Sequence, residues 1–541
     1  MSKSRKSSLR HARAAASVIC CALLASCGGG SDPNLVPGSG PPPYSAVPQV
    51  KVSQPTSFPA GCEGVTPEGI LYPDTAIEPQ IAANLFNNSF LIATWQQNRW
   101  SGGGSQAIGV SISSDGGSTW VPANAPFFSR CAGGNSGNAG NYARASNAWV
   151  SIAPSGVAYT LALAFTGDVL APGSTSAMLV SQSIDSGANW TLPIALIQDG
   201  AAFFNDKGSI TADPTNSSYV YAVWDRLNGQ ANTGPSFFSL TANANSTWSA
   251  ARSIYDPGAD NQTINNIIVV TPDDTLIDLF NEIDGVSGNT GTSHLKAMLS
   301  SDHGTTWTPP VLAADMLGVG TADPNNSNGV RDSVILFTTA VGPDGVIYVA
   351  WQDARFSSGS YDGIALTRSA DHGLTWSTPV QINGDTSVPA FTPTLAVSPA
   401  GTIAVTYYDL RNAHYSTTQL LTDAWIVTSA DGVHFTESHL SGPFDLQLAP
   451  LTPEGYFLGD YEALTYSGTQ FEPFYAQTNS GTAIAADVYF AFPTLMAPAQ
   501  AMNSFAARPA LGAAVLPAAA RMRMSQRIHA ALAHRSPGER R

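Results

Sequence analysis

The sequence predicts an all-β chain arranged as a ring of four-stranded antiparallel units, and three observations predict it. One short phrase, Ser-x-Asp-x-Gly-x-Thr-Trp, recurs along the chain. It reads SSDGGSTW from Ser113, SIDSGANW from Ser183, SSDHGTTW from Ser300 and SADHGLTW from Ser369. With two worn copies, TANANSTW from Thr241 and SADGVHF from Ser429, the steps are 70, 58, 59, 69 and 60 residues. A near-constant period of this size is the signature of a repeat architecture. Strand-like runs fill the intervals, such as NAWVSIAP then VAYTLALAF, and VILFTTAVGP then VIYVAWQD. Strands of this length between Gly, Pro and Asn turns fit radial β repetition. Finally, no long amphipathic helical pattern interrupts the repeats.

The first elements lie outside the repeats. Lys3, Arg5, Lys6, Arg10 and Arg13 precede an apolar run that ends at Leu24, the layout of an export signal. The run is too short to span a bilayer. Leu24-Ala25-Ser26-Cys27-Gly28 resembles the bacterial lipobox. That resemblance implies removal of residues 1–26, lipidation of Cys27 and a membrane-anchored protein of the cell envelope. Gly28 after the Cys resembles the outer-membrane sorting signal of Gram-negative cells. An ordinary signal peptide is the alternative. Residues 27–60 then read as a Gly/Ser/Pro-rich tether followed by a strand, QVKVS, at Gln49–Ser53. In an exported chain Cys62 and Cys131 predict a disulfide, with two free buried thiols as the alternative.

Residues 61–495 hold the repeats. In each phrase the Asp and Ser side chains can accept backbone N–H groups and hold a tight turn. The Gly permits a positive φ, and the Trp buries its ring against a neighbouring unit. A calcium loop is the competing reading, but each phrase has one carboxylate and no closing Glu. Four full phrases therefore name structural residues: Asp115 and Trp120, Asp185 and Trp190, Asp302 and Trp307, Asp371 and Trp376. The phrase resembles the Asp box, or BNR repeat, of the sialidase superfamily. That resemblance implies a β-propeller with Asp boxes on the turns between the third and fourth strands, away from the ligand face. Six units are complete, and a seventh has three strands and no box. QVKVS can supply its missing outer strand, so seven blades are expected, with six plus a hairpin as the alternative. The tail, 496–541, is rich in Ala and Arg. It is expected to be disordered or to form a short helix over 518–534 that touches anionic lipid.

Charge narrows the partners. The chain has 24 Lys plus Arg, 39 Asp plus Glu and a net charge of −15. Only 12 of the basic residues lie between signal and tail, against 38 acids. Such a surface repels nucleic acid. No metal cluster, P-loop or Ser/His/Asp signature appears, so no metal and no cofactor is expected.

Seven of those 12 basic residues fall where second strands end or first strands begin, the face opposite the boxes. Arg99, Arg226, Arg355 and Arg411 stand with Asp353 and Asp409 in the phrases WQQNRW, VWDRL, WQDARF and YYDLRN. Arg331, Glu78, Asp460 and Tyr461 stand at first-strand starts. One reading is a polar funnel, its Arg residues capturing a carboxylate and its carboxyl groups serving glycoside chemistry. The other reading is inter-blade ion pairing through W-x-D-x-R, which need not add much stability.

The sialidase resemblance implies a carboxylate held by three Arg, a Tyr nucleophile with a Glu partner, and an Asp acid/base. Here the expected Arg-Ile-Pro phrase is replaced by Ala76-Ile77-Glu78-Pro79, and no Arg-Ile-Pro occurs in the chain. Arg331, Arg355 and Arg411 are an alternative triad. Catalytic candidates are Asp460, Tyr461 and Glu78. Tyr461 and Glu462 are neighbours on a strand and point to opposite faces. The expectation is a monomeric, envelope-anchored glycoside hydrolase acting on acidic glycans. The alternative is a non-catalytic propeller that binds a glycan or an envelope protein.

Overall fold

In the computed structural model the described residues are 40–41, 44, 47–56, 58–84, 86–244, 247–287, 290–481, 486–493, 503–510 and 516–533. The signal segment and Cys27 lie outside them. The described residues of the second compact unit, 41–541, form a β-propeller. Among its described residues, antiparallel units of four strands follow one another from axis to rim. Unit one holds Leu71–Asn84, Asn87–Trp100, Ser105–Ser113 and Val121–Pro122. Unit two holds Arg144–Ile152, Ala158–Thr166, Thr175–Ser183 and Ile194–Gly200. Unit three holds Phe203–Ala212, Val220–Asn228, Ser236–Thr241 and Arg252–Tyr255. Unit four holds Asn261–Val270, Leu276–Asp284, Thr292–Ser300 and Val311–Asp315. Unit five holds Phe337–Val341, Ile347–Asp353, Gly363–Ser369 and Val380–Gln381. Unit six holds Ala390–Val397, Ile403–Asp409, Leu421–Ser429 and His434–Asp445.

Unit seven takes Ala463–Ser467, Gln470–Thr478 and Ala486–Ala491 from the end of the repeats. Its outer strand, Gln49–Lys51, comes from the beginning and pairs antiparallel with Ala486–Ala491. The first strand of unit seven also packs beside the first strand of unit one. The two ends of the repeat region thus meet, so unit seven depends on residues about 440 positions apart in the sequence.

The Asp boxes form the underside turns. Asp115 accepts from the Ser113 hydroxyl at 2.9 Å and from the Thr119 N–H at 2.8 Å. Asp302 and Asp371 accept from the N–H groups of Thr306 and Thr375, each at 2.8 Å. Asp185 accepts from the Asn189 N–H at 3.0 Å. The Trp120, Trp307 and Trp376 indoles donate to Gly117, Gly304 and Gly373 carbonyls. The Trp190 indole N–H has no partner. Each ring packs on the preceding unit. Trp120 lies 5.5 Å from Phe490 of unit seven, and Trp307 lies 5.8 Å from Phe238 of unit three. The glycines are required twice over. Gly117 has φ +83°, and a Cβ there would meet Phe490 at 2.2 Å.

Cys62 and Cys131 are disulfide-bonded, with Cα atoms 4.9 Å apart. The bridge closes a loop of about 70 residues, worth on the order of 4 kcal/mol in the chain-entropy picture.

Over its described part the tail forms two short strands and a helix. Asn503–Ala506 adds to the outer strand of unit six, and Arg508–Pro509 adds to that of unit five. A helix follows at Ala518–Ala533. Its Ala520, Met524, Ile528 and Leu532, spaced by four, are buried with Ile264, Ile283, Val319, Val334, Ile335 and Leu336. An apolar stripe at that spacing faces a core. Here it faces the ring, leaving Met522 as its exposed large apolar side chain.

Candidate active site

The innermost strands share a defect that builds the mouth of the channel. In units one, two, three, four and six the first strand slips register between Ile77 and Gln80, Ser146 and Trp149, Asp206 and Ser209, Ile264 and Ile267, and Phe391 and Thr394. At each slip one residue is left-handed: Glu78, Asn147, Lys207, Asn265 and Thr392, with φ from +44° to +61°. A bulge re-aims a side chain and ends regular pairing. Non-glycine residues in this region are uncommon and strained. The fold therefore offers equivalent positions around the axis, and the sequence puts different chemistry at each.

Asp460 is the hub of the resulting cluster. It precedes the first strand of unit seven and is 5% exposed. Arg331 donates to it through Nε at 2.9 Å and a terminal nitrogen at 2.7 Å. The Lys207 ammonium also donates to it. A hairpin of Leu451–Thr452 and Gly455–Tyr456 brings Glu454 to 3.5 Å from Arg331. The Arg331 N–H, donating to the Tyr456 carbonyl at 2.9 Å, fixes that approach. The Arg99 and Arg331 guanidinium groups lie 4.9 and 4.4 Å from the Phe457 ring centre.

Glu78 touches the hub from unit one. The Asp460 N–H donates to it at 3.2 Å, and the Gln96 amide donates to its other oxygen. Gln96 is positioned in turn by Arg99, which donates to it at 2.7 Å.

These neighbouring carboxyl groups titrate in opposite directions. Burial pushes Glu78 up to about 7; the positive charge of Lys207 opposes the shift and the negative charge of Asp460 adds to it. Burial also opposes ionisation of Asp460, but the charges and hydrogen bonds of Arg331 and Lys207 outweigh it. They hold its carboxyl well below the usual range. Burial, then the charge of Arg331, lowers the Arg99 guanidinium to about 10. Burial raises Tyr461 well above the usual phenol value, and its hydroxyl has no hydrogen-bond partner. Its ring lies 5.8 Å from Trp149 and 5.4 Å from the Lys207 ammonium.

A cavity of about 450 Å³ opens above the cluster, lined by Glu78, Arg99, Lys207, Arg331 and Glu454. Leu163, Phe165 and Phe204 line it as well. A second cavity of about 200 Å³ is lined by Asp460, Tyr461, Trp149 and Asn265. The larger volume suits a small-molecule ligand, its apolar surface giving contact and a few polar groups giving orientation.

Several candidates read from the sequence are not brought together. Arg355 pairs with Asp353 at 2.9 and 2.8 Å, and Trp351 donates to the same carboxylate at 2.8 Å. Arg411 pairs with Asp409 at 2.6 Å and with Glu437 at 3.0 Å. Trp425 donates to Asp409 at 3.0 Å. Arg226 pairs with Asp199 at 2.8 and 2.6 Å. Arg355 and Arg411 are clipped within their own units and Arg226 ties unit three to unit two, so the triad of Arg331, Arg355 and Arg411 does not assemble. Arg331 alone of the three lines the 450 Å³ cavity. Glu462 turns into unit seven and accepts from the Ala476 N–H at 2.9 Å, so it is no partner for Tyr461. Lys207, Glu454 and Phe457 join the site without having been singled out as site residues. Lys207 had a signal, since it starts an inner strand as Glu78 does. Glu454 and Phe457 had none, because their hairpin belongs to no repeat.

The family model described as "BNR repeat-like domain" matches residues 236–407. Over those residues the chain is similar to BNR-repeat domains. No curated protein matches it. Among solved structures, this chain is similar to the α-L-arabinofuranosidase Arb93A of Fusarium graminearum in complex with an iminosugar inhibitor. That match has 12% identity, a TM-score of 0.43, and covers 66% of this chain and 92% of that one. The Hadza microbial sialidase Hz136 matches with 14% identity and a TM-score of 0.41, over 74% and 76% of the two chains. The Penicillium chrysogenum α-L-arabinanase complexed with arabinobiose matches with 16% identity and a TM-score of 0.40, over 68% and 94%.

Proposed function

We propose that this BNR-repeat propeller is a glycoside hydrolase that binds an acidic glycan in the mouth cavity, with Glu78 as the proton donor. One observation carries the reading: Glu78 and Asp460 are in contact, and their surroundings push their proton affinities apart. Such a split separates the acid of a carboxyl pair from its ionised partner. With its pKa near 7, Glu78 can give a proton to a glycosidic oxygen at neutral pH. Asp460 shares its charge with Arg331 and Lys207, so it holds those cations in place and shapes the field. Arg99, Lys207 and Arg331 favour an anionic sugar over a neutral one. Lipidation at Cys27 would hold the enzyme at the cell envelope, where glycans are presented to it.

A second reading, a non-catalytic glycan- or protein-binding propeller, is favoured by the saturated ion pairs of Arg226, Arg331, Arg355 and Arg411. The test is a panel of fluorogenic glycosides, including a sialoside, and acidic oligosaccharides, assayed with wild type and Glu78→Gln. The hydrolase reading expects turnover that falls by about 10²–10⁴ in the variant, the usual contribution of a general acid. Binding without turnover of any substrate would sink it in favour of the second reading.

A further inference from the structure

The C-terminal helix lies against the site. Its Arg527, Ala530 and Ala531 share a small cleft with Lys207, Arg331 and Asp460. The apolar stripe of the helix covers Val334, Ile335 and Leu336, which begin three residues after Arg331. We propose that this helix is a releasable strap that covers the Arg331 side of the mouth, and that its departure opens the cleft to ligand. Its regulatory role rests on reading the mouth as the functional site.

The way the strap is held argues that it can leave. Beside its apolar stripe, the helix is attached through Arg residues on backbone carbonyls. Arg527 donates to the carbonyls of Val330 at 2.6 Å and Thr321 at 3.2 Å, and lies 3.6 Å from the Asp332 carboxylate. Arg523 donates to the Gly359 carbonyl. The seat is shaped for Arg527, since a Cβ on Gly320 would meet its guanidinium at 2.0 Å.

Two polar atoms of the contact are unsatisfied. The Ser525 hydroxyl and the His529 Nε2 are buried without hydrogen-bond partners, and Ser525 is only 4% exposed. A buried polar atom left unpaired costs free energy that a permanent core usually avoids. Segments that open locally are drawn from such low-stability contacts. The helix also carries Arg521, Arg523 and Arg527 and no acid, while the full chain has a net charge of −15. Its docking is therefore electrostatic in part and weakens with salt.

The experiment reads access to the mouth without needing turnover. Wild type, Arg527→Ala and a chain ending at residue 510 are treated with phenylglyoxal, and Arg331 modification is followed by peptide mass mapping. Hydrogen exchange of residues 331–337 is measured in parallel, and circular dichroism confirms that the propeller remains folded. We expect Arg331 to react at least tenfold faster, and residues 331–337 to exchange faster, in both variants. Equal rates in folded wild type and Arg527→Ala would overturn the strap. Glycan turnover, assayed on the same samples, reports separately on the hydrolase reading. Faster Arg331 modification with no turnover in any variant would keep the strap and remove the hydrolase.

Discussion

The two faces of the ring use the same residue types to opposite ends. On the underside, each Asp box carboxylate is near solvent and satisfied by its own turn. Asp302 is pulled down to about 2, chiefly by the Thr306 N–H and then by the Thr306 hydroxyl. At the mouth, Glu78 and Asp460 are buried, contact Gln96, Lys207 and Arg331 from distant parts of the chain, and shift in opposite directions. The underside repeats one chemistry, whereas the bulge positions of the mouth vary it through Glu78, Asn147, Lys207, Asn265 and Thr392. Repetition marks the scaffold, and departure from repetition marks the site.

The largest test of that contrast is Asp460→Ala. It leaves Lys207 and Arg331 buried without their shared counter-ion, so it should cost about 3–5 kcal/mol, as breaking a buried pair does. Denaturant unfolding would measure it. A cost under about 1 kcal/mol, typical of a surface pair, would mean the hub is effectively solvated.

A carboxyl group away from both faces sharpens the comparison. Asp278, in the second strand of unit four, is fully buried and neither oxygen has a hydrogen-bond partner. Burial holds its pKa well above the usual value. A raised folded pKa contributes stability that is complete below the unfolded value, near 4, and is lost as pH rises toward the folded one. Asp278→Leu should therefore stabilise the chain by about 1–3 kcal/mol at pH 8. The gain should shrink toward pH 4 in thermal melts. A gain that grows on acidification would contradict the assignment.

The smallest effect is expected on the underside. Asn243 already replaces the Asp in unit three, accepting from the Thr247 N–H at 2.9 Å and donating to its hydroxyl at 2.8 Å. Asp302→Asn should therefore leave the melting temperature unchanged at pH 7, while Asp302→Ala lowers it. Because the folded pKa of Asp302 is depressed, its contribution is present above about 4 and lost as pH falls through about 2. The Asn variant should lack that acid-side loss.

The same contrast explains what was legible in the sequence. Ser, Asp, Gly and Trp at fixed offsets announced the turns, because each box closes on itself. Gln49–Lys51 was visible as a strand because unit seven lacked one. The W-x-D-x-R phrases were visible too, but Arg355 and Arg411 close locally on Asp353 and Asp409 and are not free to bind. Glu78 and Asp460 stood out by position at inner-strand starts; their contact joins residues 382 apart and leaves no local pattern. Arg527 reaching Val330, 197 residues away, is equally silent in the sequence. Spacing reveals contacts that repeat, and the mouth is made of contacts that do not.

The central claim is that the chemistry resides in the Glu78–Asp460 pair. Its most direct test is the pH dependence of kcat/KM on whichever acidic glycoside the panel yields, for wild type and Glu78→Gln. Wild-type activity should fall as pH rises through about 7, where Glu78 loses its proton. The variant should be slow and show no such limb. A variant that keeps wild-type activity and the same alkaline limb would contradict the account.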